Sequence, residues 1–152
     1  MGPRAGLSLL YSQFFVKLPV PTQSFAGQTI IITGSNTGLG REAACHVVKL
    51  GAAKVILAVR NLSKGEAAKK YISTHSARLD AQDLIEVWEL DLSHYESVKA
   101  FAKQAESLDR IDAVIQNAGI STNQFTVAED NEYAFSRRRR RFSKSDPYVA
   151  CP

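Results

Sequence analysis

Thr29-Ile30-Ile31-Ile32-Thr33-Gly34-Ser35-Asn36-Thr37-Gly38-Leu39-Gly40 is the stretch whose reading decides the fold. The β-branched run Ile30-Ile31-Ile32 is too short for a helix and suits a strand buried on both faces. A turn with three glycines follows. Beyond it, Leu39, Ala43, Val47 and Leu50 fall on one helical stripe. Strand, glycine turn and helix together carry an anion to a helix N-terminus. The first N–H groups there have no intrahelical partner, and the helix dipole favours negative charge by roughly 0.3–1 kcal/mol. Side chains at the glycine positions would hold a pyrophosphate off the backbone. Asn36 or Thr37 is placed to cap the helix.

Reading outward, the pattern repeats. Strands are expected over residues 29–32, 54–59, 84–90 and 112–116, and helices over 39–50, 64–76 and from 95 onward. Gly51 stands where a C-terminal glycine ends a helix. Residues 78–82 read as a linker. Ser93-His94-Tyr95-Glu96 has the form of a capping box, and Val98, Phe101, Ala102, Ala105 and Leu108 form the stripe that follows it. The alternation β-α-β-α-β-α-β predicts a Rossmann-type α/β fold: a doubly wound parallel sheet with right-handed crossovers, incomplete, in the order 3-2-1-4. Strand four then lies at an apolar edge, open to pairing with another chain. The organisation expected is an N-terminal extension over 1–25, a partial dinucleotide-binding domain over 26–135 and a basic, disordered tail over 136–152.

The tail explains the charge. Its last sixteen residues hold six bases (Arg137 to Arg141 and Lys144) and one acid, Asp146. The other 136 residues hold thirteen bases and fourteen acids, so the body is not a nucleic-acid-binding surface. The two cysteines, Cys45 and Cys151, make no disulfide framework, which points to a reducing, cytoplasmic setting. His46, His75 and His94 are scattered, and no metal site is assigned. No stretch has the roughly 18 apolar residues of a membrane span. Residues 7–20 are moderately apolar and read as a flap packed on the domain, or else as a weak interfacial anchor.

The chemistry-bearing residues all fall at strand C-terminal ends. About twenty residues past such glycines, an acid usually binds the ribose hydroxyls of NAD. Here that position is Arg60, whose guanidinium suits the 2′-phosphate of NADP(H), with Ser35, Asn61 and Lys64 as helpers. The plainer alternative is a solvated charge at a strand end. Asp91 can accept from an adenine amino group and anchor its loop. Asn117-Ala118-Gly119 lets the backbone pass close to a ribose.

Taken together, Thr33-Gly34-x-x-x-Gly38-x-Gly40, Asp91-Leu92 and Gln116-Asn117-Ala118-Gly119 resemble the short-chain dehydrogenase/reductase family over about residues 25 to 135. Ala58-Val59-Arg60-Asn61 with Lys64-Gly65 is similar to its retinol-dehydrogenase-like and protochlorophyllide-reductase-like members, which mostly prefer NADP(H). The resemblance implies that Gly34, Ser35, Asn36, Gly38, Leu39, Gly40, Arg60, Asp91, Asn117 and Gly119 touch the cofactor. It also implies hydride transfer to or from a carbonyl or alcohol, using a Ser and a Tyr-x-x-x-Lys well beyond Asn-Ala-Gly. Neither is found in the required place, so no catalytic residue is assigned. Tyr95-x-x-x-Lys99 has the spacing but precedes strand four, at the adenine end, and reads as a helix-surface pair. The expectation is an NADP(H)-dependent oxidoreductase by descent, inactive as it stands. The alternative is a non-catalytic module that binds a nucleotide or, through its open sheet edge, a partner chain.

Overall fold

A computed structural model describes residues 20–119, together with 127–128 and 131–132. The residues 7–19 and the basic tail lie outside the described part. Four strands, β1 (Thr29–Thr33), β2 (Lys54–Val59), β3 (Ile85–Glu89) and β4 (Ala113–Ile115), form one parallel sheet in the order β3-β2-β1-β4. The helices are α1 (Gly38–Lys49), α2 (Leu62–His75), the single turn α3 (Ala81–Leu84) and α4 (Tyr95–Ala105). A short antiparallel pair, β5 (Val127–Ala128) with β6 (Asn131–Glu132), follows. The incomplete Rossmann architecture is therefore the one expected.

Alternation along the central strands sorts the core into two layers. Ile30 and Ile32 meet Ala44, Val47, Val48, Ala68 and Ile72 from α1 and α2. Ile31, Ile56, Ala58, Trp88 and Leu90 face the other way, against Phe101, Ala105 and Leu108 around α4. Trp88 and Phe101 meet edge to face at 5.7 Å. Every residue of β1 is buried, which is the reason its run is uninterrupted.

Five local expectations are corrected. The buried stripe of α1 is Gly40, Ala44, Cys45, Val47 and Val48, and Leu39 is 83% exposed. Gly40 is pressed against the glycine loop, where a Cβ would lie 2.6 Å from Gly34 O. α2 starts at Leu62, because the Asn61 side chain accepts from the Lys64 N–H at 2.9 Å and caps it. The expected linker contains α3, which buries Ala81 and Leu84. The capping box does not form. Asp91 Oδ1 accepts from both the Ser93 N–H (2.9 Å) and its hydroxyl (2.6 Å), and Glu96 pairs with Lys99 instead. Ser93 turns back to give its hydroxyl proton to that carboxylate, and the N-cap position falls to His94. α4 consequently starts after His94, whose side chain makes no cap. Of its expected stripe, Val98 and Ala102 are exposed, while Phe101, Ala105 and Leu108 are half-buried.

Two anchors set the ends of the sheet. Thr29 N–H donates to Asp112 Oδ2 at 2.8 Å while Asp112 N–H donates to Thr29 O at 2.9 Å, and Arg110 pairs with the same carboxylate. At the far edge, Glu86 accepts from Lys54 Nζ (2.8 Å) and Trp88 Nε1 (2.9 Å). β4 is an edge strand among the described residues, and Val114 is 51% exposed there.

α2 approaches the sheet through Gly65, where a Cβ would fall on Val87 Cγ1 and lie 2.7 Å from Val59 Cγ2. Both neighbours are β-branched and stiff. Gly65→Ala is therefore expected to cost about 1–3 kcal/mol by overpacking, read as a lower urea midpoint at unchanged m-value. Asp91, Glu86 and Asp112 are all held below the usual carboxylate range, chiefly by hydrogen bonds from Ser93, Lys54 and Arg110 respectively. Their stabilising effect is present above the unfolded pKa, about 4, and lost as pH falls through the lower folded values. Asp91→Asn should be less stable than wild type at pH 7, with the gap closing below about pH 4 in thermal melts.

Candidate functional site: a glycine loop at the switch point of the sheet

β1 and β4 flank the place where the strand order reverses, and the loop from Gly34 to Gly40 leaves β1 there. Its shape depends on contacts between the two strand ends. Thr33 Oγ1 accepts from the N–H groups of Asn117 (3.1 Å) and Ala118 (3.0 Å). Asn117 Nδ2 donates to Thr33 O and to Gly34 O, each at 3.1 Å. Both amide protons of Asn117 thus point into the protein, so the side chain offers a ligand only its oxygen. Sequence reasoning named Asn117 but gave Thr33 no role of its own. The signal was its place at the end of β1, directly before Gly34.

The three glycines have different reasons. A Cβ on Gly34 would lie 2.8 Å from Ala118 Cα, and the residue has φ +65°. A Cβ on Gly40 would fall on Asn117 Nδ2 and lie 2.6 Å from Gly34 O. Those two are glycines because protein backbone and the Asn117 amide occupy the space. Gly38 has φ +57° and nothing within 4 Å of its would-be Cβ, so it faces the open cleft. Of the three, Gly38 alone would place a Cβ in open space.

The start of α1 behind this glycine is bare. Thr37 occupies the N-cap position in extended conformation, but its side chain makes no cap hydrogen bond, and the first turn contains no acid. The cap expected from Asn36 or Thr37 is not made. Ser35 is fully buried and its hydroxyl donates to Ile32 O at 2.9 Å, so it cannot also reach a 2′-phosphate. Asn61 caps α2 through its oxygen, which leaves its amide protons for a ligand. Leu39 and Gly119 are exposed at the mouth.

On the β2 side, Arg60 is exposed at the strand's end, and its charge adds to the pull that lowers the Asp91 pKa. Asp91 is the loop anchor foreseen: besides Ser93, its N–H donates to Ser97 Oγ at 2.9 Å, and His94 Nδ1 lies 3.4 Å from its second oxygen. Between α1 and α2 runs a groove of about 410 Å³, lined by Asn36, Thr37, Arg41, Lys64, Tyr71 and two alanines. The Arg41 guanidinium stacks 3.7 Å above the Tyr71 ring. Sequence reasoning missed Arg41 and Tyr71, whose pairing depends on how the helices pack. Lys99 forms an ion pair with Glu96 on the outer surface of α4, and Tyr95 stands at that helix's start.

A dinucleotide fits these features: a clear approach at Gly38, a helix start with neither cap nor acid, and cations along one side. Among the described residues no group of three His, Cys, Asp or Glu is arranged to hold a metal, and no helix is long and apolar enough to cross a membrane.

Comparison with known proteins agrees with this geometry. The family model described as short chain dehydrogenase matches residues 28–138. Short chain dehydrogenase/reductase dmxR8 of Cryptosporiopsis sp. (strain 8999) is 51% identical over 127 residues, covering 83% of this chain and 39% of the relative. Short chain dehydrogenase atnD of Emericella nidulans is 50% identical over 129 residues, covering 85% and 40%. The chain thus spans about two fifths of the length of these curated relatives. Among solved structures, a protein from Mycobacterium paratuberculosis superposes with a TM-score of 0.57 at 38% identity, over 72% of this chain and 36% of that one. A short chain dehydrogenase from Shigella flexneri 2a str. 301, complexed with NADP, gives 0.54 at 29% identity, over 66% and 41%. A strand order of 3-2-1-4 around a glycine loop, matched by the family model over most of the sequence, places this chain in the short-chain dehydrogenase family.

Proposed function

We propose that this chain binds NADP(H) and represents the cofactor-holding portion of a carbonyl or alcohol oxidoreductase. The observation that carries the reading is the uncapped, acid-free start of α1 behind the open Gly38. A helix end of this kind leaves up to four N–H donors for an anion, and a diphosphate supplies the acceptors. In this reading Asn36, Gly38 and Leu39 form the diphosphate cradle, and the buried Gly40 and Ser35, with Gly34, shape the loop beneath it. Asp91 faces the adenine, while Asn117 and Gly119 border the ribose on the nicotinamide side.

Arg60 selects the cofactor. An acid at the end of β2 would pair with ribose hydroxyls, whereas a guanidinium there matches a 2′-phosphate. The bound nicotinamide would supply or accept the hydride. The residues of this chain bind and orient it. Thr33 and Asn117 hold the strand ends together, and Gly38 lets the diphosphate reach the backbone. The Ser and the Tyr-x-x-x-Lys that handle the proton in the family are not found in the required place within these 152 residues. Cys45 is a free, buried thiol, in keeping with a reducing cytoplasmic setting.

A second reading, a non-catalytic nucleotide-binding module that docks on another chain, is favoured by the exposed Val114 on the β4 edge. Turnover separates the two: a robust rate with NADPH and a panel of aldehydes and ketones would exclude the second. Calorimetric titration tests the shared premise. NADPH is expected to bind at least 10-fold more tightly than NADH, about 1.4 kcal/mol, and Arg60→Glu to abolish or reverse that preference. Absence of binding by either dinucleotide would overturn the reading. Gly38→Ala is expected to fold with a loss of about 1–2 kcal/mol from its left-handed backbone, and to lose most of its dinucleotide affinity. A Gly38→Ala protein that binds as tightly as wild type would show that no diphosphate passes there.

A further inference from the structure

The chain approaches the sheet along the outer flank of α1. Ala26 bridges to Ala52, and Phe25, packed against the core, donates its N–H to Leu50 O at 2.9 Å. One turn back along the helix, His46 Nε2 lies 2.9 Å from Pro21 O. A carbonyl only accepts, so the His46 ring carries a proton on Nε2. The arm from Pro21 to Phe25 thus runs antiparallel to α1, from His46 to Leu50. We propose that residues 14–18 continue this line as a strap docked on α1, with Leu18 over Ala43 and Leu39.

Three observations carry it. First, the helix offers a matching stripe. Leu39, Ala43, His46 and Leu50 stand at i, i+4, i+7 and i+11 and share one flank. Leu39 is exposed there, and the other three are half-buried. α2 meets α1 elsewhere, where Arg41 stacks on Tyr71. Arg41 is two residues from Ala43 and so on the opposite side of the helix.

Second, the direction of the arm is constrained. Leu18-Pro19-Val20-Pro21 places a proline after both Leu18 and Val20, and a residue before proline is driven to extended backbone. At about 3.1 Å per residue, Leu18 falls roughly 9 Å beyond Pro21. At 1.5 Å per helical residue, Leu39 lies roughly 10 Å beyond His46. The two reach the same height.

Third, the segment suits the surface. Phe14, Phe15, Val16 and Leu18 are apolar, and Lys17 is the one charge among them. The half-exposed carboxylate of Glu42, next to Ala43, complements it. A strap in this place covers Leu39 and walls one side of the mouth of the glycine loop. The inference does not rest on the NADP(H) reading, and its test uses no nucleotide.

The test uses the full chain with Cys151→Ser, the buried Cys45 left in place. Leu18→Cys with Ala43→Cys is expected to close an intramolecular disulfide in about half of the chains or more under mild oxidation. Leu18→Cys with Val98→Cys, on the other face of the sheet, should close in less than about a tenth. Without added cysteines, trypsin should cut after Lys17 about 10-fold more slowly than in His46→Ala, which removes the latch on Pro21. The disulfide pair decides the matter even where His46→Ala fails to fold. No disulfide with Ala43→Cys, equal yields in the two pairs, or equal cleavage in a folded His46→Ala would overturn the strap. A covalent dimer in place of the internal bridge would assign the flank to a second copy and overturn it. Co-sedimentation with vesicles of phosphatidylcholine and phosphatidylserine, lost in Phe14→Ser with Phe15→Ser, would assign the segment to a lipid surface and overturn it as well.

Discussion

The structure depends on the clasp between the ends of β1 and β4. Thr33 and Asn117 exchange hydrogen bonds so that one threonine oxygen receives two backbone N–H groups and one amide spans two carbonyls. Parallel neighbours of this kind are 83 residues apart in sequence, and β4 is only three residues long. Ladder hydrogen bonds alone would leave such a short edge strand weakly registered. The clasp fixes the register and, with it, the height at which Ala118 and Asn117 meet Gly34 and Gly40. Loop shape, helix direction and the open face at Gly38 all follow from that one junction.

This view changes what the glycine motif means. The spacing Gly34-x-x-x-Gly38-x-Gly40 reads in sequence as a loop stripped of side chains for a ligand's sake. Two of the three positions are stripped for the protein's own sake, since a Cβ there would strike Ala118 or the Asn117 amide. The motif and the Asn-Ala-Gly segment are thus two halves of one packing contact. A sequence reader meets them as separate signals and counts them as independent evidence, which they are not.

Much of the architecture was legible because it rests on burial. Ile30 to Ile32 and Val55 to Leu57 announce strands covered on both faces, and the alternation with helices fixes a parallel sheet and its order. What could not be read were choices between competing polar partners. Ser93 had the spacing of a cap, yet it turns back to the Asp91 carboxylate and His94 takes the N-cap position. Asn61 was not marked as a cap by its spacing, yet its oxygen takes the N–H three residues on. Such contests are decided by distances of a few tenths of an ångström, and spacing alone does not rank them. The Arg41–Tyr71 stack lay beyond sequence reasoning for another reason: it brings together residues on different helices, with no local pattern to mark the pair.

The two helix starts beside the groove make the functional argument sharpest. α2 begins with Asn61 capping it, and a cap of that kind is worth about 1 kcal/mol. α1 begins in the same sheet, from a stretch that offers Ser35, Asn36 and Thr37, yet no cap forms. Ser35 turns inward to Ile32, and Thr37 extends without reaching the helix. The chain therefore forgoes at α1 a stabilisation it secures at α2, although three suitable side chains were at hand. Local rules are broken where function competes with stability, and the broken rule here is the one whose remedy is an external anion. The uncapped end and the cation-lined groove beside it are two sides of a single electrostatic deficit. The diphosphate of a dinucleotide would supply the missing acceptor at the uncapped end.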